Sequence, residues 1–307
     1  MTIKLHTPYD GSVQPFTIGL GALDPTGWIE VDDNVAPHLA EKNRLLGERH
    51  SDVFQAEDDT GEAQREVLEA LLDYLPLQYP ALYQAGSGTV TFKPTDTTYK
   101  ISDFEARPLE LAARLIQDDL VLMRSSEGRH RLVAAVLCFP SGWSLKEKFG
   151  QAMADVHGPV PGFGPGSRNA LLIERIFSNL KPGQPVERYN WSLFDEPRLY
   201  YPTTDHAGKS LVNAKGQVSA WIRIERQTLS KLPRSGDVLF TIKICNDPLG
   251  VLKRHPDGAT LAASMRKQIE DLDAQQLAYK GLTDVHEEVR RELTLIEQAA
   301  CADLAEI

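Results

Sequence analysis

The chain has 307 residues, 42% of them apolar and 25% charged, and a formal net charge of −10. That composition is ordinary for a globular protein of one large domain or two smaller ones, and the acidity disfavours non-specific nucleic-acid binding. The three cysteines, Cys138, Cys245 and Cys301, lie far apart with no CxxC pair, which argues against a zinc or iron–sulfur site built by this chain alone.

Residues 1–34 read as loops and short extended pieces. The opening "MTIKLHTPYDGSVQPF" lacks a basic region followed by an apolar one, so no signal peptide and a cytoplasmic location are expected. No apolar run approaches the ~18 residues of a membrane span. "GLGAL" has neither the third glycine nor the preceding strand of a dinucleotide fingerprint. Helical spacing runs from Ala36 to His50. A second helix begins at "GEAQREVLEALLDYL", with Val67, Leu68, Leu71, Leu72 and Leu75 on one face and an end set by Pro76 and Pro80. "SGTVTFKP" reads as a short strand and "RPLELAARLIQDD" as a third helix with proline at its start.

The texture then changes. "LVLMR" and "RLVAAVLCF" flank the polar "SSEGRH", a hairpin pattern. Helical patches follow at "SLKEKFGQAMADVH" and "RNALLIERIFSNL". Three strand-like runs come next, "VERYNWSLF", "SAWIRIERQTL" and "DVLFTIKICN", and beyond residue 258 the pattern is helical again. This order predicts an α+β fold: a PAS-like five-stranded antiparallel sheet with a helical insert lying across one face, flanked by N- and C-terminal helices. The expected divisions are 1–105 packing on the core, 106–257 as the core, and 258–307 as C-terminal helices, all in one compact unit.

The chemistry-bearing candidates fall in the core. His157 in "MADVHGPVPGFGPGS" stands between a helix end and a loop of Gly and Pro. It is either a loop histidine bonded to nearby backbone or a ligand held at a fixed angle. Pro159 and Pro161 fix φ, Gly158 would let a flat ring approach, and Phe163 could pack on that ring. No second histidine stands at metal-ligand spacing. His6, His38 and His50 precede the sheet, His130 is in a hairpin turn, His206 and His255 are in loops, and His286 is on a solvated helix. A lone histidine suffices for haem, which brings four ligands of its own, but not for zinc.

In "WIRIERQTL", alternation puts Trp221, Arg223, Glu225 and Gln227 on one face and Ile222, Ile224, Arg226 and Thr228 on the other. The polar face is either solvated or a place where Arg223 or Arg226 meets carboxylates such as haem propionates. "YNWSLFDEP" puts Asn190, Ser192 and Phe194 on one face. Its adjacent Asp195 and Glu196 point opposite ways, which argues against an acid–base dyad. "FPSGWSLKEKFG" supplies Trp143, Lys146 and Lys148, as helix surface or as contacts to an anionic cofactor edge. "GFGPGS" is no P-loop, and no GxSxG occurs.

Taken in order, "GWIEVDDN", "LAEKNRLL", "LVAAVLCFPSGWSLKEKFG", "VHGPVPGF", "NWSLFDEP", "IRIERQTLSKLP", "VLFTIKICNDPL" and "LAYKGL" resemble the haem-dependent oxidative N-demethylase family, over about residues 16 to 282. The resemblance implies a PAS-like fold binding haem b with a histidine ligand. It implies oxidation of a small secondary amine such as dimethylamine by O₂, giving primary amine and formaldehyde. Electrons would come from NAD(P)H through flavin and iron–sulfur reductase subunits. On this reading His157 is the iron ligand, and Arg223, Arg226, Lys146, Phe163 and Trp143 contact the cofactor. Glu225 and Tyr189 are the candidates for holding a cationic amine. Two other readings stay open: a haem-PAS gas sensor without turnover, and a haem-free subunit of an oxidoreductase complex.

Overall fold

The computed structural model of the chain describes residues 6–203, 210–213 and 215–305; His206 and the side chain of Cys301 lie outside what it describes. The N-terminal part supplies β1 (Gly21–Ala22), α1 (Val35–Glu48), α2 (His50–Val53), β2 (Phe54–Ala56) and α3 (Gly61–Gln78). Then come β3 (Tyr83–Gly86), β4 (Thr89–Phe92), β5 (Thr97–Lys100) and α4 (Pro108–Leu115). The core contains β6 (Asp119–Ser126), β7 (Arg129–Val136), α5 (Leu145–Lys148), α6 (Met153–Val156), α7 (Arg168–Asn179), β8 (Val186–Phe194), β9 (Trp221–Lys231) and β10 (Val238–Pro248). The chain ends with α8 (Gly258–Glu270), α9 (Ala274–Lys280) and α10 (His286–Ala305). Among the described residues no helix is long and apolar enough to cross a membrane.

The predicted five strands are β6 to β10, and all lie in one antiparallel sheet. That sheet is seven-stranded, not five-stranded, in the order β1-β8-β9-β10-β6-β7-β2. The two additions are short N-terminal pieces: β1 pairs Gly21 with Glu187, and β2 pairs Phe54 with Val136. Each covers part of an edge strand whose backbone groups would otherwise lack partners. The single strand expected at "SGTVTFKP" is the middle of a separate three-stranded sheet, β3-β4-β5. The β6–β7 turn is tighter than the polar stretch suggested. Only Glu127 and Gly128 leave the ladder, both at positive φ (52° and 76°), the conformation of a two-residue hairpin turn. α3 runs through Pro76 to Gln78, and the Tyr79 N–H closes it on the Leu75 carbonyl. The proline falls in the last turn and the chain leaves the helix only before Pro80.

Strand alternation gives the sheet two different faces. Trp191, Leu193, Ile222 and Ile224 join Leu261, Met265, Ile269, Leu293 and Ile296 in one buried cluster, so the C-terminal helices cover that face of β8 and β9. A second cluster joins α1, α3 and α4 to β6 and β7 and continues into α7 through Ile173 and Phe177. The opposite face of β8–β10 meets the α5–α7 insert, and there the packing stays open.

Buried charge ties α1 to the start of the sheet. The Asp119 carboxylate accepts the N–H groups of Cys138 (2.9 Å) and Phe139 (2.6 Å) and pairs with Lys42 at 3.5 Å. Lys42 also donates to the Asp118 carbonyl. Beside them Gln117 Nε2 meets His38 Nδ1 at 3.1 Å. Burial pushes His38 from its ordinary 6.5 down to about 4, against the opposing pull of Asp32. Below pH 6.5 the unfolded chain therefore takes a proton that the native ring refuses until about pH 4. This contribution to stability is complete above pH 6.5 and disappears as the pH falls towards 4. The urea midpoint should drop across that window, and H38Q should drop less steeply; parallel pH profiles would show that His38 does not titrate this way.

Candidate functional site

Between the insert and the open sheet face lies a cavity of about 540 Å³, within the range of clefts that hold cofactors. The sheet contributes Val121, Met123, Leu132, Phe240, Ile242 and Leu229, with Arg188, Asn190, Ser192, Glu225 and Gln227 among them. The insert contributes Trp143, Lys148, Met153, Val156, His157, Pro159, Val160, Phe163, Ile173, Ile176 and Phe177. Phe16, Ile18 and Leu20 wall it from the N-terminal side, and Ala278, Tyr279 and Lys280 from α9. Phe16 and Tyr279 meet edge to face at 5.8 Å, joining these two walls. The lining is mainly apolar, with a few polar groups converging on it.

His157 caps the C-terminus of α6. Its own N–H bonds the Met153 carbonyl at 3.0 Å, and its carbonyl accepts the Val160 N–H at 2.8 Å. Its Nδ1 lies 3.1 Å from the same Met153 oxygen. A carbonyl can only accept, so Nδ1 carries the proton and Nε2 keeps its lone pair. Nε2 has no hydrogen-bond partner among the described residues. Burial pushes the ring down to about 4, helped by the positive charges of Arg188 and Lys148. The imidazole is therefore neutral at physiological pH, the form that binds metals, with its other nitrogen bonded to backbone as metal-ligating histidines usually are. Phe163 lies 6.2 Å from it, centroid to centroid, tilted by 46°.

Gly158 serves the loop rather than the cavity. It is exposed, and a Cβ there would come within 3.1 Å of the Asp155 carbonyl. The glycine is needed because the chain turns back on α6, not to admit a flat ring.

Among the described residues no three His, Cys, Asp or Glu side chains gather as a metal site. A metal at His157 would have to arrive with its other ligands, and a porphyrin does so. The free Nε2, the apolar walls and the cations nearby suit haem.

The residues singled out in the sequence separate into two groups. His157, Phe163, Trp143 and Glu225 line the cavity; Arg223, Arg226, Lys146 and Tyr189 do not. Arg223 shares the Glu225 face, but its guanidinium is fully engaged by the carbonyls of Phe139, Pro140, Arg198 and Leu199 and by Ser141 Oγ. Arg226 points to the other face, where it bonds the carbonyls of Gly27 and Trp28 and Glu187 Oε2. Tyr189 donates to Glu187 and stacks near His6. Lys146 pairs with Asp52 at 2.5 Å outside the cavity; Lys148, on the same short helix, is the lysine that lines it.

Glu225 is oriented by two amides, Gln227 Nε2 at 2.8 Å and Asn190 Nδ2 at 3.3 Å. Both bonds fall on Oε2, which leaves Oε1 for a ligand. Tyr279 is 40% exposed as a residue, but the crowding around it, reinforced by the Glu225 charge, pushes its hydroxyl up to about 12, so it stays protonated. Sequence reasoning missed Arg188, Tyr279 and Lys280. Arg188 was legible as a fourth member of the face of Asn190, Ser192 and Phe194, and Tyr279 and Lys280 stand in "LAYKGL".

The family described as haem-dependent oxidative N-demethylase, alpha subunit-like, matches residues 19–290. That match spans most of the 307 residues, including every residue of the cavity wall except Phe16 and Ile18. The chain belongs to the haem-dependent oxidative N-demethylase, alpha subunit-like, family.

Proposed function

We propose that this chain is the haem-bearing subunit of an oxidative N-demethylase acting on a small secondary amine, dimethylamine or a close relative. The observation that carries this reading is His157: a neutral imidazole with Nδ1 fixed on the Met153 carbonyl and Nε2 free in an apolar cavity. The five long strands, contiguous in the sheet and crossed on one face by the helical insert, agree with a PAS-like core.

His157 Nε2 would hold the iron of haem b, and the bond from Nδ1 to the Met153 carbonyl would strengthen Nε2 as a donor. When bound, haem supplies the dioxygen chemistry by which an N-methyl group leaves as formaldehyde. The remaining tasks belong to the protein. Its apolar walls exclude water from the reacting methyl group. Glu225 Oε1 binds the amine N–H and can hold its proton, while Asn190 and Gln227 fix the carboxylate through Oε2. The Tyr279 hydroxyl offers a donor on the same side. No nucleotide fingerprint stands in the sequence, so electrons would enter from NAD(P)H through a partner reductase carrying flavin and an iron–sulfur centre. The family description, an alpha subunit, fits a protein that works in a complex.

The test is to reconstitute the full chain with haem, record the absorption spectrum, then supply the reductase, NADPH and dimethylamine and assay formaldehyde. A Soret band with amine-dependent formaldehyde is expected. Haem binding without product from any small secondary amine favours a gas sensor; no Soret band overturns every haem assignment.

A further inference from the structure

Among the sheet arginines that are not exposed, Arg188 is the one whose guanidinium the described residues leave largely unengaged. It lies on β8, on the face of Asn190, Ser192 and Phe194, and lines the cavity. Among the described residues its single hydrogen bond is from one terminal nitrogen to the Thr17 carbonyl, at 3.3 Å. Its Nε is buried with no partner, and it makes no ion pair among the described residues. The side chain is partly buried and lines the cavity. Arg223 and Arg226, one strand away, have their guanidinium groups engaged by carbonyls and, for Arg226, by a carboxylate.

An arginine cannot escape this situation by losing its proton, since its charge persists at any physiological pH. Holding it desolvated and unpaired is costly. Burial does lower its pKa, and Glu225 opposes that from a distance without forming a pair. A guanidinium with free donors in a fixed fork suits a planar anion bound through two parallel hydrogen bonds. The lining is otherwise mainly apolar, with a few polar groups, which fits a ligand with a large hydrocarbon part and an acidic end.

We infer that Arg188 is the carboxylate-binding group of the cavity. This rests on the function proposed above, and the carboxylate has two sources there: a propionate of the cofactor, or the acid group of a substrate such as an N-methyl amino acid, whose nitrogen would then fall to Glu225. Arg188 takes the place that the sequence suggested for Arg223 and Arg226.

The experiment titrates haem-free full-length protein, wild type, R188Q and R188K, with haem b and with haem dimethyl ester, following the Soret band. N-methylglycine and dimethylamine are then added to each haem-loaded form. If the propionate is the partner, R188Q binds haem roughly ten- to a hundredfold more weakly. R188K recovers part of the loss, and affinity for the dimethyl ester is the same in all three. If the substrate is the partner, haem affinity is unchanged, and R188Q loses the spectral response to N-methylglycine while keeping that to dimethylamine. Equal weakening towards haem and its ester means general loss of packing and overturns the inference. So does an R188Q indistinguishable from wild type in every titration. Should R188Q not fold, the inference stands or falls on wild type and R188K: equal responses of these two to all four probes overturn it. A wild-type chain that binds no haem sinks the proposed function itself, a result that needs no variant.

Discussion

Replacing His157 with alanine should leave a folded protein that cannot ligate iron. The platform is held by backbone bonds that alanine keeps: residue 157 N–H to the Met153 carbonyl, Gly158 N–H to the Asp155 carbonyl, and Val160 N–H to the carbonyl of residue 157. What the substitution removes is the Nδ1 bond to Met153 and the ring beside Phe163. Neither closes the fold, so the stability cost should stay near 1–2 kcal/mol. The functional cost is far larger. Losing an outer partner of a metal ligand costs about 10–100-fold, and here the ligand itself goes, so turnover should fall by more than a hundredfold. The hole left is the size of the lost ring and opens on the cavity. Added imidazole should occupy it and restore a histidine-type haem spectrum in proportion to its concentration, as loss of folding would not allow. A His157→Ala protein with an unaltered haem spectrum would remove His157 as the ligand while leaving the cavity as the haem site.

The parts of this site that could be read from the sequence are those set by local periodicity. Two-residue alternation put Glu225 and Gln227 together, and Asn190, Ser192 and Phe194 together, and the cavity is lined by both sets. The same alternation puts Arg188 on that face, two residues before Asn190. Helical and strand patterns located the five long strands and the insert. They were silent about β1 and β2, because strands of two and three residues have no period to detect. Tertiary pairing decides what local patterns cannot. Arg223 and Arg226 look equally free in "WIRIERQTL". Whether a guanidinium is free depends on carbonyls brought in from residues 27–28, 139–140 and 198–199, which no window around residue 223 contains. Lys146 and Lys148 pose the same problem on a smaller scale. Two residues apart on a helix they face different ways, and one meets Asp52 while the other lines the cavity.

Arg223 gives the second large expected effect, on stability. Its side chain is 1% exposed, and its charge is spent on the backbone. Nε donates to Ser141 Oγ at 2.8 Å, one terminal nitrogen to the Arg198 carbonyl at 2.9 Å, and the other to the carbonyls of Phe139, Pro140 and Leu199 at 2.9–3.1 Å. The guanidinium also lies over the Phe194 ring, 5.2 Å from its centroid. Burial lowers its pKa to about 10, which still leaves it charged at neutral pH. The residue therefore fastens two loops, one after β7 and one after β8, to the middle of the sheet. R223A would strand four carbonyls, at least two of them buried, and open a void, at an expected cost of about 3–5 kcal/mol. In a chain of this size that is a fall in Tm on the order of 10 °C. R223K should recover little, because one ammonium cannot span acceptors on two loops. Both loops reach the cavity wall, through Ser141 and Tyr201. Haem should therefore dissociate faster from the variant even though Arg223 does not line the cavity. Thermal unfolding and haem release measured side by side separate a structural role from a cofactor-binding role for this arginine. A stability loss shared by the haem-free protein marks a structural clamp, whereas wild-type stability with weakened haem binding would return Arg223 to the cofactor.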